Sequence, residues 1–203
     1  FLDIVKDKDQ YSWVRRSVRK KVRKSWDKGL ELILQCQIDQ NGIKTAWAQQ
    51  HDHNSFEPVI GRTFELPGIT ANESCSIISL LMKIDDPSEE VIKAVDSAVA
   101  WLEKSRITGI RVDKVPVKKE EIINPEYPYD NVVVADSSAK PIWSRFYDLD
   151  TNMPFMCTRG GEKVYTLAEV DPERRIGYDW YGYWPEEALR NYRIWKKALE
   201  TEK

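Results

Sequence analysis

The chain has 203 residues, enough for one domain with a real hydrophobic core. Its formal net charge is −2, so the whole-chain field gives no argument for nucleic-acid binding. No apolar run approaches the ~20 residues that a membrane-spanning helix needs.

The chain opens at Phe1, without Met and without a signal-peptide pattern, as expected of a chain processed or cut from something longer. Tyr11 to about Gln37 reads as a long helix. Val14, Val18, Val22, Trp26, Leu30 and Ile33 or Leu34 recur at helical spacing. Arg15, Arg16, Arg19, Lys20, Lys21, Arg23, Lys24 and Lys28 fill the other faces. Such a run is either the solvated side of an amphipathic helix or a surface for an anionic polymer. Asn41-Gly42 marks a tight turn, Thr45 to Gln50 a short extended piece, and residues 51–68 a loop holding two prolines. A second helix is expected from Asn72 or Glu73 to Ile84. Asp86-Pro87-Ser88 ends it and caps the next, whose Val91, Ile92, Val95, Val99 and Leu102 face the core. Residues 107–140 read as a long loop with some extended structure around Val132-Val133-Val134, or a hairpin. From Pro141 to Pro185 the chain is rich in Trp, Tyr, Arg, Gly and Asp and has little periodicity, which suits a binding surface. A last helix is expected from Glu186 to Glu200. Helices joined by long loops imply a mainly α fold, a toroid-like array of helical hairpins with few short strands.

Few residues suit catalysis by a nucleophile or a metal. The two histidines, His51 and His53, share one loop, where His51-Asp52-His53 is half a metal site or a hydrogen-bonded turn. No Ser or Cys lies in a nucleophile elbow, and there is no phosphate-binding glycine loop. Cys36, Cys75 and Cys157 fit no zinc or redox spacing, and their odd number leaves at least one thiol free. The eight Trp and nine Tyr serve either as core or as platforms for sugar rings. Arginines in loops beside aromatics stand out: Arg62, Arg145, Arg159, and Arg174 with Arg175. Guanidinium forks match carboxylates bidentately, which suits a polyanionic ligand. Alternatively, each arginine pairs with a nearby Asp or Glu.

Five strings carry a resemblance. Lys44-Thr-Ala-Trp-Ala-Gln-Gln-His-Asp52, Gly61-Arg-Thr-Phe-Glu-Leu-Pro67, Glu73-Ser74, Trp143-Ser-Arg-Phe-Tyr147 and Glu173-Arg-Arg-Ile-Gly-Tyr-Asp-Trp-Tyr-Gly182 are similar, in order, to family 10 pectate lyases. The resemblance covers roughly residues 30 to 185. It implies an (α/α) toroid and calcium-assisted β-elimination on polygalacturonate. It places Arg62 on the family's proposed catalytic base, and Arg145, Arg159 and Arg174 on arginines that contact substrate carboxylates. Trp47, Gln49 and Asp52 fall in a motif without an assigned role. The family's acidic Ca²⁺ ligands lie N-terminal to these motifs and have no counterpart here. Residues 1–203 are therefore expected to form the C-terminal part of the catalytic domain, with calcium held from outside the chain. Further expectations are a secreted, periplasmic or cell-surface location, a monomeric chain or part of a longer one, and no nucleic-acid or membrane partner. The competing readings are a non-catalytic polyuronate-binding relative, a truncated inactive fragment, and a binder of nucleic acid or an anionic surface through the Arg15–Lys28 face.

Overall fold

The computed structural model describes residues 2–6 and 9–201. α1 (Leu2–Lys6) and α2 (Arg16–Gln35) come first. No residue of α2 is fully buried, but Leu30, Ile33 and Leu34 near its C-terminal end rest on the core. The hairpin of β1 (Asp39–Gln40) and β2 (Ile43–Lys44) turns at Asn41 and Gly42. Both have positive φ, 57° and 81°, which is why this turn takes Asn-Gly. β3 (Ile69–Thr70) runs straight into α3 (Ala71–Leu81). In α4 (Glu89–Lys104) the Ser88 hydroxyl accepts from the Val91 N–H at 3.3 Å, as a helix N-cap should. Glu89 and Glu90 sit in its first turn, where the helix dipole favours them.

β4 (Ile110–Pro116) and β5 (Tyr129–Ala135) then form an antiparallel ribbon, with Ile110 opposite Ala135 and Pro116 opposite Tyr129. After them come β6 (Trp143–Ser144), β7 (Phe146–Tyr147), β8 (Pro154–Cys157) and β9 (Lys163–Val164). The order β3-β7-β8-β9 makes a four-stranded antiparallel sheet. α5 (Pro172–Gly177) leads into β10 (Tyr181–Gly182), which pairs with β6, and α6 (Trp184–Thr201) closes the described chain.

Two apolar clusters hold these pieces. The larger one joins α3, α4, Ala188 and Leu189 of α6, and the rings of Trp47, Trp101, Trp143 and Tyr147. Its indoles are satisfied: Trp47 donates to the Ile33 carbonyl at 2.7 Å, Trp143 to Leu102 at 2.8 Å, and Trp101 to the Asn152 side chain at 2.7 Å. The smaller cluster holds Phe146, Phe155, Met156, Cys157, Leu167, Val170 and Trp180, with Phe64 and Tyr178 packed on it. That cluster is the floor of the site described below.

The expected toroid of helical hairpins is overturned. The hairpin reading of residues 107–140 is met by β4 and β5, and other segments that read as loops also pair as antiparallel strands, giving four sheets among the described residues. The helices α2, α3, α4 and α6 pack as one group beside those sheets, not as a ring of hairpins. The cause is local. Short, aromatic-rich strands such as Trp143–Ser144 and Phe146–Tyr147 bury both of their residues, so they show no alternation to read. The long helix begins at Arg16, not Tyr11, and the second helix ends at Leu81, not Ile84. All three cysteines are free thiols and buried.

Candidate functional site

Four of the five arginines singled out in the sequence come together through three loops and one short helix. Arg62 lies in a tight turn closed by the Glu65 N–H donating to the Arg62 carbonyl at 2.8 Å. Its Nε donates to Glu65 Oε2 at 2.8 Å and its Nη2 to Oε1, a bidentate fork on a carboxylate that is only 5% exposed. This partner raises the Arg62 guanidinium above its ordinary value and holds the Glu65 carboxyl below its own.

Arg145 sits between β6 and β7, and its main chain is tied on both sides. Its N–H donates to the Trp180 carbonyl at 2.7 Å, and its carbonyl accepts from the Ala71 N–H at 3.1 Å. The side chain pairs with Glu73 in the first turn of α3, with its guanidinium 4.7 Å from the centre of the Tyr178 ring. Arg159 follows β8. Its N–H is held by Asp171, and its Nε donates to Glu173 at 3.2 Å.

Arg174 differs from the others. It is buried, with an exposure of 5%, and no carboxylate among the described residues is bonded to it. Its guanidinium lies 4.1 Å from the Phe64 ring centre, 5.0 Å from Trp180 and 5.1 Å from Tyr178. Burial pulls its pKa down, and the neighbouring Arg159 charge pulls the same way. The adjacent Arg175 points elsewhere and is a staple. It pairs with Asp130 of β5 and donates to the Val170 carbonyl at 2.6 Å, fixing α5 to the ribbon.

Phe64 is the meeting point, which sequence reasoning did not foresee. Arg62 and Arg159 also stand over its ring, at 4.8 and 5.1 Å. Around the same place several buried polar atoms make no hydrogen bond within the described chain: Arg145 Nε, Arg174 Nε and Nη2, and Glu73 Oε2. Buried donors and acceptors left in this way are costly, and such clusters mark places built for a ligand or for ordered water. Burial raises the Tyr178 phenol above its ordinary value, with the Arg145 charge opposing it.

The other sequence candidates are structural. His51 Nδ1 meets the Phe56 carbonyl at 2.8 Å, and its Nε2 accepts from the Ala48 N–H at 3.2 Å, so it pins a loop. Asp52 accepts from the Asn54 and Ser55 N–H groups at 2.9 and 2.8 Å, which lowers its pKa. Trp47 is core. A concavity of about 390 Å³ beside β5, lined in part by Asp130, Tyr165 and Arg175, is separate from the arginine cluster.

Against known proteins, residues 1–189 match the pectic acid lyase family. The chain belongs to the pectic acid lyase family. Among solved structures it resembles a family 10 polysaccharide lyase from Cellvibrio cellulosa, with 27% identity and a TM-score of 0.75. A mutant of a Cellvibrio cellulosa family 10 lyase in complex with trigalacturonic acid gives 27% identity and a TM-score of 0.74. Each alignment covers 89% of this chain but only 53% of the solved chain, so this chain spans about half the length of those relatives. No curated protein matches it.

Calcium, expected from the family, does not fit the residues present. Among the described residues no group of three or more His, Cys, Asp or Glu is placed to hold an ion. The carboxylates at the site, Glu65, Glu73, Asp171 and Glu173, are each engaged by one of the arginines. A hard divalent cation needs several oxygen ligands converging on one point.

Proposed function

We propose that this chain carries the arginine side of a pectate-lyase site, which binds polygalacturonate and supports its cleavage by β-elimination. The observation that carries the reading is the convergence of Arg62, Arg159 and Arg174 on Phe64, with Arg145 next to them, in a chain of this family. The solved relative's complex with a trimer of galacturonic acid supports the ligand class. Arg145, Arg159 and Arg174 take up uronate carboxylates. Arg174 suits this best, since a bound carboxylate gives its two unpaired nitrogens the acceptors they lack.

In the reaction a base takes the C5 proton, the C5–H bonding pair becomes the C4–C5 double bond, and the oxygen on C4 departs with the C–O pair and takes a proton from water. Negative charge accumulates on the uronate carboxylate during this step. Preorganised guanidinium groups around that carboxylate stabilise the charge as it develops. Arg62 acts at C5. As a base it would have to shed a proton, and arginine keeps its proton to pH ~12.5 or above. Glu65 makes that harder by raising the value further. The pair favours the other version: Arg62 stays charged and stabilises the enolate, while hydroxide takes the C5 proton.

The half-length match to the solved relatives leaves a second reading, a binding-only relative or a piece that requires the rest of a longer protein. Both are tested by mixing the purified chain with polygalacturonate at alkaline pH and following the ultraviolet absorbance of unsaturated uronides, with added calcium and with chelator. Growth of the signal that is lost in Arg62→Ala establishes the lyase. Binding to the polymer with no absorbance growth establishes the second reading.

A further inference from the structure

We infer that Phe64 is the positioning residue of this site, a single aromatic platform that holds the guanidinium groups of Arg62, Arg159 and Arg174 in one fixed fan. Three cations drawn from separate parts of the chain repel one another. Two of them have an acidic partner, Glu65 for Arg62 and Glu173 for Arg159; Arg174 has none among the described residues. What all three share is the Phe64 ring, at 4.8, 5.1 and 4.1 Å. A ring's negative face attracts a cation, and the attraction strengthens when water is excluded. Phe64 is held in turn by the smaller apolar cluster, so the platform stands on a packed floor.

A close backbone approach brings the Arg159 turn to this ring. Gly161 has φ +89°, and a Cβ there would stand 2.6 Å from the carbonyl oxygen of Thr63, the residue before Phe64. No side chain fits between the two segments. Gly161 therefore lets the 158–161 turn press onto residue 63, which leaves Arg159 above the neighbouring ring. The Arg-Thr-Phe-Glu string thus has two roles. Glu65 clamps Arg62, and Phe64 gathers the arginines supplied by residues 159 and 174.

The functional consequence rests on the polyuronate reading, but the platform itself can be read without any ligand. Phe64→Leu keeps an apolar side chain on the floor and removes the ring; Phe64→Tyr keeps the ring. The first readout is the arginine Nε–H resonances of the free chain, assigned by Arg→Lys variants. The second is polygalacturonate binding and, where turnover is seen, KM against kcat. In Phe64→Leu the resonances of Arg62, Arg159 and Arg174 are expected to shift together while Arg145 stays in place. The Kd or KM is expected to rise about tenfold, with kcat changed less, as for loss of a few cation–ring contacts. Phe64→Tyr is expected to restore both readouts. Unshifted arginine resonances in Phe64→Leu, or a Phe64→Tyr chain as impaired as Phe64→Leu, would overturn the inference. If the unaltered chain neither binds nor cleaves the polymer, the polyuronate reading fails, and the resonances still decide for or against the platform.

Discussion

Arg174 gives the sharpest test of whether this chain gives up stability for a ligand site. Its guanidinium is buried, and Nε and Nη2 have no acceptor within the described chain. Each buried donor left unmade costs about 1–3 kcal/mol. The three ring contacts recover roughly 0.5–1 kcal/mol each, somewhat more where water is excluded. Methionine retains much of the apolar stem and carries neither donor. Arg174→Met is therefore expected to stabilise the fold by on the order of 1–2 kcal/mol. For a chain of this size that is a rise in Tm of roughly 2–8 °C. The lowered pKa of Arg174 points the same way, because burial penalises its charged form. Thermal unfolding followed by circular dichroism at neutral pH measures the change. A fall in Tm would show that Arg174 is a structural residue whose contacts outweigh its unmet donors, and the argument from orphaned nitrogens would fail.

Glu65→Gln frees Arg62 from its ion pair. The rate of uronide release is expected to drop while still rising with hydroxide concentration; activity that instead extends to lower pH would show that Arg62 is the base after all. Alkaline conditions should weaken the fold itself. Burial, with the Glu73 charge behind it, pushes the Cys75 thiol up to about 12, and burial, with Asp96 behind it, pushes the Tyr192 phenol up to about 12. Both groups keep their protons longer when folded, so the stability they contribute is whole below pH ~8.5–10 and is lost as pH rises toward about 12. Tm measured across that window should fall, and Cys75→Ala should flatten the fall; an unchanged slope would count against it. Gly68→Ala places a Cβ 2.9 Å from the Phe155 ring and from the Tyr147 carbonyl oxygen. It should cost about 1–3 kcal/mol in urea unfolding, and a neutral result would mean the sheet yields easily there. Calorimetric titration of the free chain with calcium should show no heat of specific binding, in keeping with its scattered and arginine-paired carboxylates.

The helices were legible because their apolar stripes are long. α4 shows both its Ser88 cap and its Val91–Leu102 core face in the sequence, and α6 lies within a residue or two of its expected span. The sheets were less so: the Asn41-Gly42 turn and a hairpin within residues 107–140 could be read, but the other pairings gave no signal. β4 and β5 leave both faces partly exposed, so neither strand alternates cleanly, and only the pairing of residues 110–116 with 129–135 makes them a ribbon. The arginines could be found from motif strings alone. Their partners could not, because Glu73 meets Arg145, and Phe64 meets Arg159 and Arg174, only after folding. Glu65, three residues from Arg62, was the one partner within local reach. Arg174 and Arg175 show the limit of sequence reading: neighbours of one type, one aimed at the site and the other a staple to Asp130.

The central claim is that an anionic sugar polymer is held by the arginines around Phe64, not by the basic run on α2. Electrophoresis of the chain through gels containing polygalacturonate, at fixed ionic strength, measures this directly. The unaltered chain should be retarded, Arg62→Ala, Arg145→Ala, Arg159→Ala and Arg174→Met should each lose most of the retardation, and a chain with Lys20, Arg23 and Lys24 changed to Gln should keep it. Retardation that survives the four site variants and disappears with the α2 variant would move the ligand to the helix and contradict the site described here.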